Sequence, residues 1–315
     1  MYQYTADQYE VLYREPAGPV TAERIALGRT GAQRTQATTA GDMLYVRSFP
    51  IWKTSGDGGR AKRVRPTREA QRKLNQRNRR LYVEQLAHAN FGREDYYLTL
   101  TYTETPRQGM RLTDEYWTDE PLDMDDAKKH LSAYLAKLKR RVRRLGGEMK
   151  YIAVTEETWS RHADAHDDHA RYHHHLILSC PGVDRDEVEH MWQDMGHAAG
   201  RTNCQRLQPD GSGIAALAQY IMKAEDGEKR RDRNGKLYYQ HRYTCSRNLK
   251  KPVTRTSDHR ISRRRVAMVA MDVMHDGIEI FRALYPGYEP TEAPRIYISD
   301  YVAGAYIYCR MRRRA

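Results

Sequence analysis

Residues 172–180, YHHHLILSC, constrain this chain more than any other stretch. Three histidines open the segment, and Leu176, Ile177 and Leu178 continue it. A run this short and apolar reads as a β-strand whose later part is buried. Side chains alternate along a strand, so His173 and His175 share one face about 7 Å apart and His174 takes the other. Two imidazoles on one rigid face form half of a metal site. The plain alternative is a histidine-rich surface segment, because His162, His166 and His169 lie just upstream in a polar stretch. The apolar run after His175 sets the triplet apart, since it anchors these histidines at the mouth of a buried strand.

Around this strand the pattern alternates between strands and helices. YYLTLTY (96–102) alternates and is rich in Tyr and Thr, which favours a strand. Residues 123–145 predict an amphipathic helix with Leu131, Tyr134, Leu135, Leu138 and Val142 as its stripe, ended by Gly146-Gly147. YIAVTE (151–156) is the next strand, followed by a polar loop and the histidine strand. Residues 184–195 predict a helix, 201–208 a short strand and 212–225 a helix striped by Ile214, Leu217, Ala218 and Ile221. KLYYQHRYTC (236–245) predicts a strand or hairpin arm. This order suits an antiparallel sheet with helices packed on it, an α+β domain.

The chain has 315 residues, enough for a large core. Lys and Arg exceed Asp and Glu by 13, and the pI is about 9.5. Such an excess suits a polyanionic partner, most often nucleic acid. The cations cluster. Residues 60–80 hold ten of them, including Arg63, Arg65, Arg72, Arg77 and Arg79, against Glu69 alone. Pro66 suits a first helical turn, and Leu74, Leu81, Val83 and Leu86 give the segment to about Ala89 a partial apolar side. A basic helix against a phosphate backbone is the expectation, with a solvated charged helix as the bland alternative. Arg247, Lys250 and Lys251 form a second basic run. The acids Asp114, Glu115, Asp119, Glu120, Asp123, Asp125 and Asp126 read as an exposed loop entering a helix N-terminus. Cys180, Cys204, Cys245 and Cys309 form no CxxC pair, so neither a zinc knuckle nor a disulfide framework is expected. No signal peptide or membrane-spanning run is expected either, which fits a cytoplasmic protein.

Two further pieces complete a possible site. Glu156 ends the strand before the histidine strand and Glu157 follows it. If those strands pair, one of the two carboxylates reaches the imidazoles across the ladder. Glu156 is preferred because it shares a face with Ile152 and Val154, although the loop could reverse that choice. Two histidines and one carboxylate leave open positions for water and a phosphate oxygen. The second piece is Tyr220 with Lys223, which are neighbours one turn apart on a helix. A lysine there can orient the phenol or neutralise a phosphate bonded to it. The spacing alone is weak, because Tyr134 and Lys137 repeat it among 23 tyrosines. Read in isolation, Tyr220 is as readily a structural tyrosine; Tyr134 sits in the middle of its stripe and reads as core.

Taken in order, LTLTY, a carboxylate, HHHLIL and YIMK resemble the motifs of the HUH endonucleases. Within them the chain is similar to the rolling-circle replication initiators (Rep proteins) of phages, prophages and plasmids. The three motifs span residues 96–223. The segments RPTREAQRKLNQRNRR, CSRNLKKP and AGAYIYCRMRR extend the likeness more loosely toward prophage-borne initiators. Tyr220 comes after the histidines, unlike the arrangement in relaxases of plasmid transfer, and one tyrosine occupies its helix.

The resemblance implies a ferredoxin-like (RRM-like) antiparallel sheet over residues 66–255, with extensions at 1–65 and 256–315. It implies Mg²⁺ or Mn²⁺ held by His173, His175 and Glu156, and a nucleophile at Tyr220 assisted by Lys223. The implied reaction nicks one strand at an origin, leaving a 5′-phosphotyrosine and a free 3′-OH. A host polymerase would extend that end. A host helicase would open the duplex, since the chain has no GxxxxGK[ST]. Arg63, Arg65, Arg72, Arg77, Arg79, Arg247, Lys250 and Lys251 would contact DNA. Two other readings remain open: a single-strand transposase of the same superfamily, and a non-catalytic nucleic-acid-binding protein. The long basic extensions disfavour the first, and the ordered His, His, Tyr and Lys set disfavours the second.

Overall fold

The computed structural model describes residues 32–51, 68–102, 124–159, 170–195, 199–221, 230–231, 237–238, 243–271, 277–299 and 302–314. They form two compact units that interleave along the chain. The described residues between 90 and 210 and between 214 and 249 build one unit. Those of 32–51, 68–89, 211–213 and 250–314 build the other.

The first unit is built on an antiparallel sheet. A hairpin joins β1 (Ala32–Ala40) to β2 (Met43–Ile51). Gly41 turns the corner at φ +58°, and an added Cβ there would lie 2.3 Å from the His88 carbonyl oxygen, so only glycine fits. The helix α1 (Arg68–His88) buries Val83, Leu86 and Ala87. This is the expected basic helix, with Arg77 exposed on its other side.

The second unit begins with β3 (Tyr96–Tyr102), α2 (Met124–Arg144), β4 (Lys150–Trp159) and β5 (Ala170–Ser179). It continues with α3 (Arg185–Gln193), β6 (Ala199–Arg206) and α4 (Ala215–Ile221), then three two-residue strands, β7 (Arg230–Arg231), β8 (Leu237–Tyr238) and β9 (Thr244–Cys245). The expected segment 236–245 thus divides: β8 pairs with β7, and β9 joins the main sheet beside β4. That sheet has the order β6-β3-β5-β4-β9, and every pair in it is antiparallel. Its first four strands, with α2 and α3, run β-α-β-β-α-β along the chain and lie fourth, first, third, second in space.

The apolar stripe of α2 explains the packing. Leu131, Tyr134, Leu135, Leu138 and Val142 meet Leu98 and Leu100 of β3, Leu176 and Leu178 of β5, and Val188 and Trp192 of α3 in one core. Helix α2 stops where Gly146 takes φ +78°, as the Gly-Gly pair predicts. Asp184 caps α3 by accepting a hydrogen bond from the Glu187 N–H at 2.7 Å. Tyr134 is fully buried and donates to the Val188 carbonyl at 3.0 Å. Tyr134→Phe should therefore cost about 1 kcal/mol of stability and leave DNA chemistry untouched. Thermal unfolding and a cleavage assay on one preparation check both statements.

The remainder of the first unit comes from the C-terminal quarter: β10 (Val253–Ser257), α5 (Arg263–Met271), α6 (Ile278–Leu284), β11 (Tyr288–Pro290), β12 (Arg295–Ser299) and β13 (Val302–Arg313). Its sheet runs β10-β1-β2-β13-β11, with β12 also on β13. Leu44, Val46, Ile261, Val266, Phe281, Ile307 and Met311 form the core. Beside it, Tyr45 and Arg310 both donate to the buried Glu84 carboxylate, at 2.9 and 3.1 Å. No helix among the described residues is long and apolar enough to cross a membrane.

Candidate metal centre

The hairpin-like pairing of β4 and β5 sets the register of the site. Glu156 lies opposite His173, and Val154 opposite His175. On the other side of β5, Thr99 of β3 lies opposite His175 and Thr101 opposite His173. Glu156, His173 and His175 therefore project from one face of the sheet. The His173 Nε2 is 3.0 Å and the His175 Nε2 3.6 Å from one Glu156 oxygen. One ligand atom from each of the three residues lies within 4.8 Å of the others, a grouping able to hold a metal ion. The two imidazole rings stand nearly perpendicular, at 88°, so they approach a common point from different directions.

The surroundings support that arrangement. His175 is 4% exposed, and its ring stacks on Tyr97. Its Nδ1 is 2.7 Å from the Tyr97 hydroxyl and 3.2 Å from the Thr99 hydroxyl. When Nδ1 donates to one of these oxygens, Nε2 keeps its lone pair on the Glu156 side. Burial would raise the Glu156 carboxyl, but its hydrogen bonds with His173 and His175 outweigh that and bring it down to about 2. The carboxylate is thus ionised at neutral pH, and two imidazole nitrogens with one anionic oxygen suit a divalent ion that keeps open positions.

His174 takes the opposite face, as alternation predicts. It is fully buried between the Tyr102 hydroxyl at 2.9 Å and the Thr155 hydroxyl at 2.9 Å. Burial drives its pKa down to about 3, from an ordinary value of 6.5, so the ring is neutral. Unfolded, the same side chain takes a proton near pH 6.5. Between these two values the unfolded chain binds more protons, so stability falls with falling pH by up to about 1.4 kcal/mol per unit. Urea unfolding between pH 4.5 and 7, with chelator present, should show a shallower pH dependence in His174→Gln. Parallel profiles would contradict this account of the ring.

The other residues singled out by the sequence are placed as follows. Glu157 lies opposite Tyr172 in the ladder. Tyr220 lies on α4, while its side chain and the whole of Lys223 fall outside the described residues, as do Arg63 and Arg65. Arg72 is on α1, with its side chain likewise outside the description. Arg77, Arg247, Lys250 and Lys251 are exposed, and Arg79 is half-buried. Sequence reasoning missed Tyr97 and Thr99, which hold His175. The signal was present in YYLTLTY, whose odd-numbered residues fall on the histidine face once β3 is known to neighbour β5.

No curated protein and no solved structure matches the chain. A family model, described as a replication-associated protein of the ORF2 type, matches residues 95–225, less than half of the chain, and is consistent with a rolling-circle replication initiator.

Proposed function

We propose that this protein is a replication initiator of the HUH endonuclease type, which nicks one DNA strand at an origin and later rejoins it. The observation that carries the reading is the convergence of Glu156, His173 and His175 on one sheet face, inside the segment similar to a replication-associated family. The β-α-β-β-α-β order with its fourth-first-third-second strand arrangement supports a ferredoxin-like fold, the one expected for such enzymes.

The chemistry follows from the parts. A divalent ion, Mg²⁺ or Mn²⁺, held by the trio would polarise the scissile phosphate and offset charge building on its oxygens. Tyr97 and Thr99 hold the His175 ring, and His173 and Glu156 fix each other. The Tyr220 oxygen attacks phosphorus and loses its proton. The bond from phosphorus to the 3′ oxygen breaks, and that oxygen leaves as a 3′-OH once protonated. Lys223, one turn further on, offsets the phosphate charge beside the phenol. The phosphotyrosine keeps the energy of the broken phosphodiester, so rejoining needs no nucleotide cofactor. A free 3′-OH is the end a host polymerase extends, and a host helicase would unwind the duplex ahead of it. Cleavage of an end-labelled origin single strand, dependent on a divalent ion and abolished by chelator, tests this reading. Binding without cleavage under all metal conditions would leave only a nucleic-acid-binding protein, and strand transfer restricted to transposon ends would mark a transposase.

The basic runs serve the same partner. Arg63, Arg65, Arg72, Arg77 and Arg79, with Arg247, Lys250 and Lys251, lie against phosphates in this reading. Replacing Arg77 and Arg79 by alanine should weaken binding to any sequence. The slope of log affinity against log salt should flatten by about 0.7 for each phosphate no longer neutralised on a single strand. Salt titrations by fluorescence anisotropy measure both. Unchanged affinity and slope would make the runs solvated surface.

A further inference from the structure

The second unit carries a groove of about 690 Å³ on the side of the sheet away from the metal centre. Leu131 and Leu135 of α2 and Ala153 of β4 lie at its floor, and Tyr151 and Tyr243 contribute to its walls. Tyr151 and Ala153 alternate with Ile152, Val154 and Glu156 along β4, which places the groove on the face opposite the trio. The wall formed by residues 243–248 is fixed in place. The Ser246 N–H donates to the Tyr151 carbonyl at 3.0 Å, and the Tyr151 N–H donates to the Ser246 hydroxyl at 3.1 Å. The Asn248 side-chain amide donates to the Met149 carbonyl at 3.0 Å.

The charge on this groove is one-sided. Elsewhere on α2, Lys129 pairs with Asp126, Lys137 with Asp194 and Arg141 with Glu187. Lys139 and Arg143 of α2 and Arg247 on the facing wall are exposed, line the groove and form no ion pair among the described residues. Glu148 is the one acid among its described lining residues. Three cations along one trough repel each other unless an anion joins them. An acidic peptide would satisfy the cations but not use the two phenol rings or the apolar floor. A single nucleic-acid strand uses all three, because phosphates meet the cations while bases stack on aromatic rings.

We infer that this groove is a second nucleic-acid site, which holds a stretch of single strand with its phosphates on Lys139, Arg143 and Arg247 and its bases against Tyr151 and Tyr243. The short strand β9 is the sheet edge next to β4, and DNA leaving the metal face reaches the groove by passing over that edge. The inference rests on DNA being the partner of the protein, as proposed above, but not on cleavage.

The test measures binding of the full chain to a fluorescent mixed-sequence single strand of roughly 25 nucleotides, in chelator so that nothing is cut. The variant K139A/R143A/R247A is compared with K129A/R140A/R144A, which removes the same charge from exposed positions of α2 outside the groove. The groove variant should bind roughly ten- to a hundredfold more weakly, with its salt slope lower by about 2, and the control should stay within about threefold of wild type. A strand carrying 5-iodouracil should photo-crosslink to the peptide containing Tyr151 or Tyr243. Equal losses in both variants, crosslinks confined to other peptides, or competition by polyglutamate as strong as by the oligonucleotide would each overturn the site. Absence of the groove effect with cleavage intact removes this site alone. A positive groove result without any cleavage removes the proposed reaction alone.

Discussion

His173→Ala and His175→Ala should each abolish nicking of origin single strands, by about 10³-fold or more, while most DNA affinity remains. The two imidazoles and Glu156 are the three donors of one small cluster, so deleting either histidine leaves too few ligands to fix a divalent ion against a phosphate. Several kcal/mol of charge stabilisation disappear with it, and each 1.36 kcal/mol is tenfold in rate. Affinity is spread over many phosphates elsewhere and survives. Glu156→Gln should follow the histidines, because it keeps the shape and removes the anion. A labelled-strand assay across Mg²⁺ and Mn²⁺ concentrations reads the effect. Full activity in both histidine variants, or activity of wild type in excess chelator, would overturn the site.

Tyr220→Phe should eliminate the covalent protein–DNA adduct without unfolding the protein. The change keeps the ring and its packing and removes only the attacking oxygen. Lys223→Ala should slow cleavage and rejoining yet still permit some adduct, since it supports the reaction without forming the bond. Tyr134 belongs to the other YxxK in the sequence, but it is fully buried with its hydroxyl committed to Val188. An adduct that persists in Tyr220→Phe, or that maps to Tyr134 or Tyr243, would refute the nucleophile and leave the metal centre standing.

The parts of this fold that were legible in sequence are those where local pattern and burial agree. The stripe over 123–145 became Met124–Arg144, and YYLTLTY became Tyr96–Tyr102. The relation of Glu156 to the histidines was legible because β4 and β5 are adjacent in the chain and pair directly, so alternation alone sets their shared face. The first unit was not legible in the same way. Strand β1, AQRTQATTA, is polar, yet Gln33, Thr35 and Thr38 are buried. They are accommodated by hydrogen bonds: Gln33 donates to the Ser48 hydroxyl at 3.1 Å and to the Ala305 carbonyl at 3.0 Å, and Thr38 pairs with the Thr254 hydroxyl at 2.8 Å. Hydrophobic periodicity carries no trace of such a strand. Its partners also lie far along the chain, with Thr35 opposite Ser257 and, one strand over, Ser48 opposite Ile307. The groove is similar: 245–252 reads as a basic run, and only the docking of 243–248 onto β4 turns Arg247 toward a shared surface with Arg143.

The central claim is that Tyr220 forms a phosphodiester with DNA in a reaction that needs the Glu156, His173 and His175 centre. It is tested most directly by mass spectrometry of the protein after incubation with an origin single strand and Mn²⁺. The account predicts one DNA-modified peptide, containing Tyr220, present in wild type and absent from His173→Ala, from Tyr220→Phe and from a chelated control. Unmodified protein beside strands that are cut, or a modified peptide centred on another tyrosine, would contradict it.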